Sequence, residues 1–133
     1  MAEKKKILLI DDEEDFCFFV KKNLELSGEF DVMAVTDGNE GVIAAQNAKP
    51  DLILLDILMP KISGPDVAER LHADTGTKGI PLIFLTAVVT KEEIGLQTIK
   101  EIGGYNYIAK PVDTKNLISS MRMILYGIAP VSS

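Results

Sequence analysis

The stretch Asp51-Leu52-Ile53-Leu54-Leu55-Asp56-Ile57-Leu58-Met59-Pro60, "DLILLDILMP", sets an aspartate at the end of an uninterrupted apolar run. A carboxylate buried there without a partner is costly, so Asp56 is expected at the rim of a sheet and beside a compensating cation. A continuous apolar run, as opposed to an alternating one, suits a strand covered on both faces.

Similar runs recur along the chain at Ile7 to Ile10, Pro81 to Leu85 and Tyr105 to Ile108, with a weaker one at Phe30 to Val35. Each is followed by a segment that reads as helix. Strands alternating with helices imply right-handed crossovers and a parallel sheet, here of five strands and five helices in an α/β domain.

The first helix, from about Glu13 to Ser27, is expected to turn Phe16, Phe19, Val20, Asn23 and Leu24 inward, leaving Phe18 an exposed aromatic. Asp37 and Thr90 each precede a glutamate by three residues, the spacing of a capping box, and Asp113 is a third candidate cap. The last helix, ending near Tyr126, carries Leu117, Ile118, Met121, Ile124 and Leu125 on one stripe, with Arg122, Met123 and Tyr126 outside it. The fourth helix, Lys91 to Ile102, has a poorly defined stripe interrupted by Gly95 and is the element expected to move.

At 133 residues the chain has room for one domain. It is 47% hydrophobic and 26% charged, and no apolar run is long enough to span a bilayer, so no membrane insertion and a cytoplasmic location are expected. The formal net charge of -6 disfavours direct contact with nucleic acid, despite Lys4 to Lys6. The lone Cys17 allows no internal disulfide or cysteine metal knot and is expected to be a small packing residue, and the lone His72 a surface residue.

In an open parallel sheet, functional groups collect beyond the carboxyl ends of the strands. Those ends carry Asp11 and Asp12, Asp56, Thr86 and Ala87, and Lys110 with Pro111. Asp11 and Asp12 are also good helix caps, and a lysine or a strand-end threonine is more often an ordinary surface or packing residue. Clustered carboxylates repel one another and raise their own pKa values, however, and such a cluster recruits a cation. A hard divalent ion such as Mg2+ suits it, since magnesium takes oxygen ligands and keeps several waters.

Together "LLIDDEED", "DLILLDILMPKISG", "IFLTA" and "YNYIAKPVD" resemble a bacterial response-regulator receiver domain, the phosphoacceptor of two-component signalling, from about Lys5 to Gly127. The resemblance implies a flavodoxin-like, doubly wound five-stranded parallel sheet in the order 2-1-3-4-5, with helices on both faces. It implies a receiver domain over residues 1–127, a short tail over 128–133 and no output domain. By similarity, Asp56 is the phosphorylated nucleophile, and Asp11, Asp12, Asp56 and the Leu58 backbone carbonyl hold Mg2+. Lys110 balances phosphoryl charge beside a cis peptide to Pro111. Thr86 senses the new group, with Ala87 leaving room, and Tyr107 is the aromatic switch.

The same resemblance implies a sensor histidine kinase or histidine phosphotransfer protein as donor, and a downstream target protein as reader. A homodimer through the fourth helix, last strand and last helix is a further expectation, with Phe18, Met123 and Tyr126 as candidate contacts. Leu58 and Val88, two residues beyond Asp56 and Thr86, are apolar where polar groups orient a hydrolytic water, so slow loss of the phosphoryl group is expected. Three rival readings remain. A haloacid-dehalogenase-type phosphatase wants an aspartate where Leu58 stands, a flavodoxin wants a polar phosphate loop where "DDEEDF" stands, and a pseudo-receiver would bind without being phosphorylated.

Overall fold

The computed structural model describes residues 3–87, 100–102 and 105–127. In chain order the elements are β1 (Lys5–Ile10), α1 (Glu14–Leu26), β2 (Phe30–Val35), α2 (Gly38–Ala48), β3 (Leu52–Asp56), α3 (Gly64–Ala73), β4 (Leu82–Thr86), β5 (Lys100–Ile102), β6 (Tyr105–Ala109) and α4 (Thr114–Tyr126).

The sheet runs in the order β2-β1-β3-β4-β6-β5. Its first five members are mutually parallel, which is the expected doubly wound arrangement, and β5 adds an antiparallel edge on β6. This edge corrects one expectation: Lys100 to Ile102 pair as a strand and do not end a helix. The rest of the predicted fourth helix, with the Thr90 cap and Val88, lies outside the described residues.

Alternate residues of the inner strands feed two cores. Ile7, Leu9, Leu52, Leu54, Ile83 and Leu85 pack with Cys17, Val20 and Leu24 of α1 and Leu117 and Met121 of α4. Leu8, Ile10, Ile53, Leu55 and Phe84 pack on the other face with Val42 and Ala45 of α2 and Val67, Ala68 and Leu71 of α3. This two-sided burial is why β3 needs apolar residues at every position from Leu52 to Leu55, each worth about 1.5–3 kcal/mol when fully buried.

Phe18 is exposed as expected, and so, against expectation, is Phe19, at 49%. The inward arc of α1 runs through Cys17, Val20 and Leu24 at helical spacing, which turns position 19 to solvent. Asp37 caps α2 through the Glu40 amide, and Asp113 caps α4 through the amides of Lys115 and Asn116. On α4, Leu117 and Met121 are buried, while Arg122 and Tyr126 are exposed.

One close approach fixes the end of β3. A Cβ on Gly64 would stand 2.3 Å from the Asp56 carbonyl oxygen, so only glycine lets the first turn of α3 abut the strand end. At the far edge, β2 has no strand beyond it among the described residues. Instead the Lys21–Glu25 ion pair of α1 covers Val32: the Val32 amide donates to Glu25 Oε2 at 3.1 Å, and Lys21 Nζ donates to the Val32 carbonyl at 2.7 Å.

The pair thus occupies backbone groups that a foreign strand would otherwise use. Lys21→Ala combined with Glu25→Ala is expected to change stability by less than about 1 kcal/mol, because the pair is exposed, yet to increase self-association with concentration in light scattering. A double variant that stays as monodisperse as the parent would contradict this role.

Candidate active site

The register brings the strand ends level. Ile10 of β1 faces Leu55 of β3, Asp56 faces Leu85 of β4, and Thr86 faces Ala109 of β6. The residues that follow are held by the same ladders, since the Asp11 amide donates to the Val35 carbonyl and the Lys110 amide to the Thr86 carbonyl. Asp11, Asp56 and Thr86 are buried, Asp12 and Lys110 are half-buried, and Ala87 and Leu58 are exposed, Leu58 at 64%. The Lys110-Pro111 peptide is cis, as expected.

Lys110 crosses to the carboxylates. Its Nζ lies 2.7 Å from Asp11 Oδ2, 3.0 Å from Glu13 Oε1 and 3.4 Å from Asp56 Oδ1. The Phe16 ring stands under the same ammonium, 4.3 Å from it to the centroid, adding a cation–π contact. Asp11 divides its two oxygens between tasks. Oδ1 accepts the Glu13 amide at 3.0 Å and shapes the turn into α1, while Oδ2 faces the cleft. Asp11 thus shapes the turn before α1 without capping the helix, whose N-cap is Glu13. Its main-chain carbonyl accepts from the buried Cys17 thiol.

Burial pushes the Asp56 carboxyl up to about 6, with the Asp11 charge adding to the rise and Lys110 opposing it. Asp11 is raised as well, again chiefly by burial, against the pull of Lys110. Mutual repulsion alone was the expected cause; loss of water contributes more. Burial would depress Lys110, but hydrogen bonds to Asp11 and Glu13 reverse this and raise it overall. The Cys17 thiol, pushed up to about 12 by burial and then by Asp11, is an inert packing group, as expected.

One oxygen from each of Asp11, Asp12 and Asp56 falls within 4.8 Å of the others. Apart from its ion pair with Lys110, the buried Asp11 Oδ2 has no hydrogen-bond partner among the described residues. An all-oxygen donor set of three clustered carboxylates fits the hard divalent cation expected from the sequence.

Beside the site, Tyr107 is half-buried and stacks on Phe84 with ring centroids 5.2 Å apart. Phe84 also meets Tyr105 edge to face, and Tyr105 meets the exposed His72. Sequence reasoning missed this aromatic row, Gly64, and the reach of Glu13 and Phe16 to Lys110. The signal for Glu13 was present as the third acid of "DDEED", although helix-start acids have ordinary uses.

Asp56 loses stability for the fold as it ionises. Its folded value of about 6 lies above its ordinary 3.8, so its contribution is complete below about pH 4 and is lost as pH rises through 6. In chelator, Asp56→Asn is therefore expected to be more stable than wild type by about 2–3 kcal/mol at pH 8, with the gain shrinking towards pH 4. Denaturant titrations at both pH values check this, and a gain of equal size at each would contradict it.

The response regulator receiver domain family model matches residues 7–122. The chain is 36% identical over 120 residues to the DNA-binding dual master transcriptional regulator RpaA of Synechocystis, covering 90% of this chain and 48% of that protein. It is 36% identical over 121 residues to the alkaline phosphatase synthesis transcriptional regulatory protein PhoP of Bacillus subtilis, covering 91% and 48%. The chain thus spans about half the length of the curated relatives it matches. Among solved structures, a response regulator from Desulfuromonas acetoxidans superposes with a TM-score of 0.77 at 31% identity, covering 93% of this chain and 98% of that one. The chemotaxis protein CheY4 of Vibrio cholerae gives 0.78 at 25%, covering 92% and 100%. With the family matched across both halves of the sheet, the chain belongs to the response regulator receiver domains of two-component signalling.

Proposed function

We propose that this domain accepts a phosphoryl group on Asp56 from a phosphohistidine of a sensor histidine kinase or histidine phosphotransfer protein, and passes the signal to a protein partner in the cytoplasm. The observation that carries this reading is the buried Asp56 carboxylate at a strand end, with Lys110 Nζ 3.4 Å away and two further acids beside it.

The Asp56 oxygen forms a bond to phosphorus as the phosphorus–nitrogen bond of the donor breaks, and the imidazole leaves with the electron pair. Negative charge on the equatorial oxygens of the loose transition state is met by the Lys110 ammonium, which lies 3.4 Å from Asp56 Oδ1 on a side chain only 10% exposed. Asp11, Asp12, Asp56 and the Leu58 carbonyl would hold Mg2+, which supplies further charge neutralisation at those oxygens. The domain thereby assists its own phosphorylation and, with water as acceptor, the loss of the group.

Thr86, buried at the end of β4, is the residue that senses the phosphoryl group, and Ala87 is small beside it. Tyr107 is in register with Phe84, two residues before Thr86, so a shift at the end of β4 bears directly on the Tyr107 ring. Output then follows from a change in population between two arrangements of the surface formed by β6 and α4, read by a target protein or a second copy. Two relatives are named for transcriptional regulation, but the net charge of -6 argues against direct nucleic-acid contact by this domain itself.

Incubation with Mg2+ and acetyl phosphate is expected to add the mass of one phosphoryl group to wild type and none to Asp56→Ala. No gain in wild type would favour a binding module that keeps the fold without the chemistry. Because Leu58 is exposed and apolar, the adduct is expected to decay slowly, and Leu58→Asn with Val88→Glu to shorten its lifetime several-fold. An unchanged lifetime would sink that part of the reading.

A further inference from the structure

Glu13 has no task in phosphoryl acceptance by Asp56, yet its carboxylate reaches Lys110 Nζ at 3.0 Å. It stands at the N-cap of α1, where Ser, Thr, Asp or Asn normally satisfies an amide of the first turn, and its side chain makes no such bond. The ammonium is also nearer Asp11 and Glu13, at 2.7 and 3.0 Å, than Asp56 at 3.4 Å. Phe16 of α1 adds to the pull on the same ammonium.

We infer that Glu13 is a positioning residue: it holds the Lys110 ammonium towards the start of α1 and competes for it with the incoming phosphoryl group. The inference rests on the reading of Asp56 as acceptor. Asp11 is buried and cannot exchange its partner for water, whereas the Glu13 side chain is 63% exposed and can. As the Asp56 oxygen bonds to phosphorus and the leaving group departs with its electron pair, Lys110 turns to the phosphoryl oxygens and the Glu13 contact is the one released. With its carboxylate open to water, Glu13 holds the ammonium weakly, so the restraint is modest and corresponds to a rate effect of about two- to fivefold.

With saturating Mg2+ and acetyl phosphate, Glu13→Gln is expected to gain phosphoryl mass about two- to fivefold faster than wild type. The ammonium signal of Lys110 should shift by NMR, and the rate gain should vanish in a Lys110→Ala background, followed over longer incubation. A Glu13→Gln rate equal to or below that of wild type, or a gain that survives removal of Lys110, overturns the inference while leaving Asp56 as acceptor. Failure of wild type to take up any phosphoryl group removes the reading of Asp56, and this inference with it.

Discussion

The neutralisation of buried carboxylates by one ammonium is the constraint around which the rest of the molecule is arranged. Asp11 and Asp56 are carried to neighbouring strand ends by apolar strands that cannot bend away, and both carboxyls are raised by loss of water. Lys110, delivered from β6 on the other side of β4, reaches both, and its side chain is only 10% exposed. Removing the ammonium would leave two buried carboxylates unbalanced, which costs more than the contacts themselves contribute.

The apolar strands make this placement possible. Because helices cover both faces of the sheet, β3 is buried throughout and holds Asp56 rigidly at its end. Gly64 allows α3 to close against that end. The acid that seems misplaced in "DLILLDILMP" sits where the apolar run stops and the cleft begins, opposite a cation supplied by the far end of the chain.

Much of this was legible in the sequence because local rules carry it. Five parallel strands follow from short apolar runs, and the caps at Asp37 and Asp113 follow from spacing and side-chain chemistry. What was not legible depends on tertiary choice. The α1 stripe was drawn around the large Phe16 and Phe19, whereas burial of the small Cys17 rotates the inward face by roughly 60° and leaves Phe19 outside. A three-residue edge strand such as β5 has no periodicity to read, since its conformation is set by its partner β6. The acids at the strand ends were found as a cluster, but which of them meets Lys110 most closely depends on side-chain reach across strands. Glu13, exposed and at a helix start, looked like an ordinary solvated acid for that reason.

The most direct measurement of the central claim is anomalous diffraction from crystals soaked with Mn2+, which accepts the same oxygen ligands as Mg2+. The account predicts a single strong peak contacted by carboxylate oxygens of Asp11, Asp12 and Asp56, and its loss in Asp11→Ala. Density at another cluster of acids, or a peak that persists unchanged without Asp11, would contradict it.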